Sequence, residues 1–169
     1  IYDYLRVHYA RVGKPHCLTC GRLIEKLSPS EIILFIERKI AAAKREGKEG
    51  KESVVILAPM IRGRKGEHYQ LLYDLLDKGY REVVVNGARK LLRERIILEK
   101  NKKNDISAVV DELPLIDFTR AGKGATGSLK QAVSQTVADG AKSRLAEAVE
   151  KAIDLAEGLV EVKLGGESF

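Results

Sequence analysis

Hydrophobic residues recur at intervals of three and four positions in four stretches of the 169-residue chain. Side chains at this spacing share one side of a helix, so each stretch predicts an amphipathic helix with one face available for burial. The clearest stretch contains Ile32, Ile36 and Ile40, and it follows Ser28 and Ser30, either of which can cap a helix. The predicted helices cover residues 1–12, 28–45, 66–78 and 141–157.

Short β-branched runs predict four strands between and after these helices. We expect Pro59 to close the first strand and Pro114 to stop the third, while Asn86-Gly87 after the second strand favours a hairpin turn. The predicted strands cover residues 54–57, 81–86, 106–113 and 159–164. This mixture predicts an α+β fold in which a small mixed or antiparallel sheet is packed with amphipathic helices.

The composition fits a folded domain, with 44% hydrophobic and 32% charged residues. No run of about 18 apolar residues occurs, and the first residues lack the pattern of a secretory signal. We therefore expect a cytoplasmic protein with no membrane partner. Position 1 is Ile1 rather than Met and lies inside an amphipathic segment, which suggests a piece of a longer chain.

The formal charge of +6 is unevenly distributed along the chain. Between residues 88 and 104, seven cations are opposed only by Glu94 and Glu99. These cations are Arg89, Lys90, Arg93, Arg95, Lys100, Lys102 and Lys103. One hypothesis is therefore direct binding of this window to DNA phosphates, which would weaken steeply with salt. The scarcity of aromatic residues there argues against a platform for single strands.

A second basic stretch, Arg62-Gly63-Arg64-Lys65-Gly66, is interpreted as a glycine-punctuated loop. The glycines let the backbone approach a partner, and guanidinium groups offer planar bidentate contacts. A solvated turn is the alternative interpretation of the same residues.

Cys17 and Cys20 have the spacing at which two thiolates can share one zinc ion, but a closed structural site needs four ligands. The alternative is two free thiols near a turn. Elsewhere, the glycines between 122 and 127 do not form a phosphate-binding loop, since no lysine precedes Ser128. No catalytic set stands at a recognisable spacing, so we expect no enzymatic activity from this chain alone.

Three strings carry a resemblance to a known family. They read Lys-Pro-His-Cys-Leu-Thr-Cys-Gly at 14–21, Ala-Pro-Met-Ile-Arg-Gly-Arg-Lys-Gly-Glu-His at 58–68 and Ser-Arg-Leu-Ala-Glu at 143–147. In this order they resemble the UvrA family, the damage-recognition ATPases of bacterial nucleotide excision repair. The resemblance implies a domain inserted in the first ATP-binding cassette that docks UvrB. It also implies that ATP and damaged duplex DNA are bound by the parent, a homodimer, whose cassette would complete any zinc site.

The resemblance also implies a division of the chain. Residues 1–27 would be a linker helix and Cys-x-x-Cys knuckle from the cassette side, and 28–164 the UvrB-interaction domain. Within that domain, 115–140 is interpreted as an inserted loop or helix, with a flexible loop over 117–128. Residues 165–169 would begin the return to the cassette.

Six charged residues are our candidates for the surface that UvrB meets. They are Arg62, Arg64, Lys65, Glu67, Glu82 and Glu112. The resemblance implies arginine where Glu82 and Glu112 stand. This departure predicts either a charge-swapped UvrB or contacts made elsewhere, because like charges disfavour docking.

Overall fold

The computed structural model describes residues 1–16, 18, 21, 27–45, 52–119 and 128–169. In chain order the helices are α1 (Tyr2–Val12), α2 (Pro29–Arg45), α3 (Tyr69–Asp77), α4 (Leu115–Thr119) and α5 (Ser128–Leu155). The strands are β1 (Ser53–Lys65), β2 (Glu82–Val85), β3 (Ala88–Leu91), β4 (Lys103–Pro114), β5 (Glu161–Leu164) and β6 (Glu167–Ser168).

The strands form one sheet in the order β3-β2-β4-β1-β5-β6, and every neighbouring pair is antiparallel. The two long strands, β1 and β4, lie at the centre and pair along most of their length. The hairpin predicted at Asn86-Gly87 joins β2 to β3. The predicted α+β class with a sheet packed against helices is therefore confirmed.

The hydrophobic core lies between one face of the sheet and the helices. Val54 and Ile56 of β1 and Ile106 of β4 are fully buried there, together with Leu145 and Val149 of α5. Helix α2 adds Ile36 and Ile40 to the same cluster, so much of its predicted apolar stripe is buried, whereas Phe35, predicted on the same stripe, is 43% exposed. Helix α1, in contrast, has no buried residue.

Helix α2 begins with the predicted serine cap. The backbone N–H of Ser28 donates to Glu31 Oε2 at 2.8 Å, and the backbone N–H of Glu31 donates to Ser28 Oγ at 3.3 Å. This reciprocal pair is a capping box, and Pro29 takes the first helical position, where a missing N–H costs nothing. Hydrogen bonds from the Ser28 backbone and hydroxyl hold the pKa of Glu31 below its ordinary value.

The expectation that Pro59 closes the first strand is wrong. Strand β1 continues through Pro59 to Lys65, so the stretch interpreted as a basic loop is extended strand. The pairing of β1 with β4 is irregular between Pro59 and Ile61. A bulge is a place where a strand tolerates proline, because the ladder is already interrupted there.

Several further elements differ from the sequence predictions. Helix α3 starts at Tyr69 rather than Gly66, since Gly66 and His68 both have positive φ angles, 137° and 47°. Strands β3 and β6 were not predicted. Strand β4 begins at Lys103 rather than 106, and α5 begins at Ser128 rather than 141. Of the loop predicted over 117–128, residues 117–119 belong to α4 and Ser128 opens α5; residues 120–127 lie outside the described part of the chain.

In the residues that the structure describes, no helix is long and apolar enough to cross a membrane.

Truncation of the α5 core contact should destabilise the fold. Leu145 is fully buried, so Leu145→Ala should lower the free energy of unfolding by about 2–5 kcal/mol, through lost burial and the cavity left behind. Leu34→Ala on α2 is the matched control, because Leu34 is 51% exposed. Urea denaturation measures both, and equal losses would contradict the packing of α5 on the sheet.

Candidate docking surface

The sheet has a second face that points away from the helices. Opposite residues of antiparallel strands share a face, and the register places Val55 opposite Glu112 and Val84 opposite both Ser107 and Arg89. Val55, Val84 and Glu112 are half-buried on this face, whereas Leu57 and Ser107 are buried. We call this the open face. Its members are Ser53, Val55, Leu57, Glu82, Val84, Arg89, Ser107, Val109, Glu112, Glu161 and Lys163.

Arg89 joins two carboxylates on the open face. Its Nε donates to Glu82, its neighbour across the β2–β3 hairpin, and its Nη2 donates to Glu112 Oε2 at 2.7 Å. Ser53 Oγ donates to the other oxygen of Glu112 at 2.5 Å. We call these four residues the carboxylate clamp, and they link strands β3, β2, β4 and β1.

The clamp shifts the ionisation of Glu112 and Arg89 toward their charged forms. The Ser53 hydroxyl and then the Arg89 guanidinium hold the pKa of Glu112 below its ordinary value of 4.5. The hydrogen bond to Glu112 raises the pKa of Arg89. Hydrogen bonding to a charged form favours that form, so Glu112 faces solvent as an anion beside the Arg89 cation. Because Glu82 and Glu112 keep 29% and 38% of their side-chain surface exposed, a partner can still reach them.

At the other end of the sheet, β1 and β4 extend beyond their neighbours. Strand β2 pairs with β4 only at 106–108, and β5 pairs with β1 only at 54–57. The last pairs, Arg64 with Asn104 and Lys65 with Lys103, therefore belong to a two-stranded extension. We call residues 61–65 with 100–106 the basic ribbon.

A buried asparagine holds the base of this ribbon. Asn104 is 2% exposed, and its Nδ2 donates to the carbonyl of Gly66 at 2.9 Å and to that of Glu99 at 3.2 Å. Its Oδ1 accepts from Asn86 Nδ2 at 3.2 Å. We did not predict this role for Asn104. The sequence signal for this role was that Asn104 is polar, although the alternation along the strand predicts a buried side chain at its position.

The six predicted partner-binding residues form two groups rather than one surface. Glu82 and Glu112 meet in the carboxylate clamp, whereas Arg62, Arg64 and Lys65 lie on the basic ribbon and Glu67 follows it. Arg62 and Arg64 also line a groove of about 410 Å³ beside the end of α5.

The predicted nucleic-acid-binding window is divided as well. Arg89 is engaged by the clamp, and Lys90 is half-buried on β3. Arg93 and Arg95 are exposed in the connection between β3 and β4. Lys103 is opposite Lys65 in the ribbon, and Lys100 and Lys102 shortly precede it in the chain. Of these three lysines only Lys102 forms an ion pair among the described residues, with Glu99 at 2.6 Å.

Cys17 and Cys20, the predicted zinc ligands, lie outside the described residues, so the zinc site stays a prediction. Among the residues that are described, no group of three or more His, Cys, Asp or Glu side chains is arranged to hold a metal ion.

Comparison with known proteins gives consistent matches. The profile of a family described as the UvrA interaction domain matches residues 37–165. UvrABC system protein A of Aquifex aeolicus is 39% identical over 163 residues, 96% of this chain and 14% of that protein. The protein of the same name from Deinococcus radiodurans is 40% identical over 97% of this chain and 13% of its own length. That from Methanothermobacter thermautotrophicus is 37% identical over 96% of this chain. The chain thus spans about a seventh of the length of these relatives.

Removal of the clamp's cation should change the pH dependence of stability. A carboxylate whose pKa is lowered by folding stabilises the fold above its ordinary pKa, and this stabilisation is lost as pH falls. Arg89→Met should therefore raise the pKa of Glu112 and flatten the loss of stability below about pH 4.5. At pH 7 the expected cost is about 0.5–1 kcal/mol, as for other exposed pairs.

Carboxyl NMR titration and urea denaturation across pH 3–7 measure these effects. Lys142→Met is the matched control, since Lys142 lies 3.9 Å from Glu37 on the helix side and does not contact the clamp. An unchanged Glu112 titration in Arg89→Met would contradict the clamp.

Proposed function

Because this chain belongs to the UvrA interaction domain family, we propose that it is the protein–protein docking module with which a UvrA repair ATPase binds UvrB. ATP binding and hydrolysis then belong to the rest of the parent protein, and this module contributes no catalytic group. A role in DNA repair is consistent with action in the cytoplasm, where the parent meets damaged duplex DNA.

The observation that carries the proposal is the open face, with the carboxylate clamp at one end of it. The face combines half-buried valines with fixed charges, and such mixed surfaces are typical of interfaces between separately folded proteins. The carboxylates are already ordered by Arg89 and Ser53. Docking therefore costs less side-chain entropy than it would for free glutamates.

The charge of the clamp determines which charged side chains the partner must present. Two carboxylates around one guanidinium leave a net negative charge, where the resemblance implies arginines. Because complementary potentials govern partner choice and association rate, we propose that the cognate UvrB presents basic side chains to Glu82 and Glu112. Arg89 itself remains 45% exposed and can meet an acidic residue at the same interface.

Reversal of the clamp charge should weaken UvrB binding. Glu82→Arg with Glu112→Arg places three arginines together, so we expect at least a tenfold loss of affinity for the cognate UvrB, mainly through slower association. Biolayer interferometry at two salt concentrations measures both rates.

The control is Glu147→Arg with Glu150→Arg, which makes the same charge change on the exposed surface of α5. Equal UvrB affinities for the two double variants would show that the open face is not part of the interface.

Arg62, Arg64, Lys65 and Glu67 stay predicted partner residues that this test does not address. Capture of UvrB by Arg64→Glu with Lys65→Glu tests them separately. Undiminished capture of UvrB at low salt would show that the basic ribbon is not part of the docking surface.

A further inference from the structure

The basic ribbon brings together cations that are far apart in the chain. Lys65 and Lys103 are directly opposite each other in the register of β1 and β4, and both are exposed. Opposite residues in a sheet have Cβ atoms about 5 Å apart, so two like charges there destabilise the pair. No ion pair of Arg62, Arg64, Lys65 or Lys103 occurs among the described residues, so the repulsion is not relieved within this part of the chain.

The ribbon is held in place despite this repulsion. The backbone N–H of Gly63 donates to Asp105 Oδ1 at 2.6 Å, and the backbone N–H of Asp105 donates to Asn86 Oδ1 at 2.8 Å. Together with the buried Asn104, these bonds join the β1 end, the β4 start and the β2–β3 turn. The positive charges are therefore presented on an ordered backbone rather than on a free loop.

The composition of the ribbon identifies the kind of ligand. Its exposed tips, 62–65 and 100–103, contain six cations and no apolar side chain. The buried centre of a protein interface needs apolar or aromatic groups. The tips themselves offer none, although Met60 and Leu159 line the groove beside Arg62 and Arg64. A phosphate polymer needs only positive charge and access, and a two-stranded ribbon is narrow enough to enter the major groove of duplex DNA.

We propose that the basic ribbon binds the phosphate backbone of duplex DNA without sequence preference. The contacting residues are Arg62, Arg64, Lys65, Lys100, Lys102 and Lys103. The site lacks aromatic residues, so it does not act by stacking single-stranded bases. Arg62, Arg64 and Lys65 are also predicted UvrB contacts, but this proposal does not rest on UvrB docking, because duplex binding is measured with UvrB absent.

The test is the salt dependence of binding to a fluorescent 30-base-pair duplex, followed by anisotropy. Six phosphate contacts predict that affinity falls about a thousandfold between 50 and 200 mM salt. Lys65→Gln with Lys103→Gln should reduce the slope of log affinity against log salt by about 1.8. The same change in salt should therefore lower the affinity by about tenfold less than in the unmodified chain.

Lys142→Gln with Lys151→Gln is the matched control, because it removes the same charge from exposed positions of α5. We expect its slope to equal that of the unmodified chain. Thermal unfolding checks both variants, and Lys65→Gln with Lys103→Gln should melt no lower than the unmodified chain, since it relieves a repulsion.

Three results would overturn the proposal. They are equal slopes for the ribbon and control variants, no duplex binding by the unmodified chain at 50 mM salt, and displacement of duplex by polyglutamate as effective as by unlabelled duplex. UvrB binding by the ribbon variant is measured alongside. Loss of UvrB binding with an unchanged duplex slope would assign the ribbon to the protein interface alone.

Discussion

The antiparallel pairing of β1 with β4 is the interaction on which the rest of the structure depends. Its ten register pairs decide which side chains join the core and which reach the open face. A slip of one residue would send Val54 and Ile56 to the open face and would separate Glu112 from Ser53, because side chains alternate along a strand. The core and the carboxylate clamp are thus two consequences of one register.

The irregularities in this pairing are as informative as its regular part. Register shifts occur between Ile56 and Leu57 and again between Pro59 and Arg64. Bulges bend a strand and strengthen its twist. They let β1 accommodate Pro59 and continue to Lys65, beyond the reach of β2 and β5. The basic ribbon is an extension of the central strand pair, and the buried Asn104 satisfies the backbone carbonyls where the sheet ends.

The sequence predicted what depends on local patterns. The cap at Ser28, the apolar stripe of α2 and the Asn86-Gly87 turn all depend on neighbours within a few positions, and the structure contains each of them. Strand β3 was missed because Ala-Arg-Lys-Leu has no β-branched run, and it becomes a strand only by pairing with β2. The position of Arg89 beside Glu112 was not predicted either. Its contact with Glu112, 23 residues away, depends on a register that periodicity does not reveal.

The two charged surfaces lie far enough apart to act independently. Glu112 and Lys103 stand nine residues apart on β4, which corresponds to about 30 Å at the rise of an extended strand. At physiological salt, interactions between exposed charges are screened over about 8 Å. The negative clamp therefore does not weaken the attraction of the ribbon for an anion, and the ribbon does not repel a basic partner from the clamp. A single strand pair can in this way present opposite charges to two different partners at the same time.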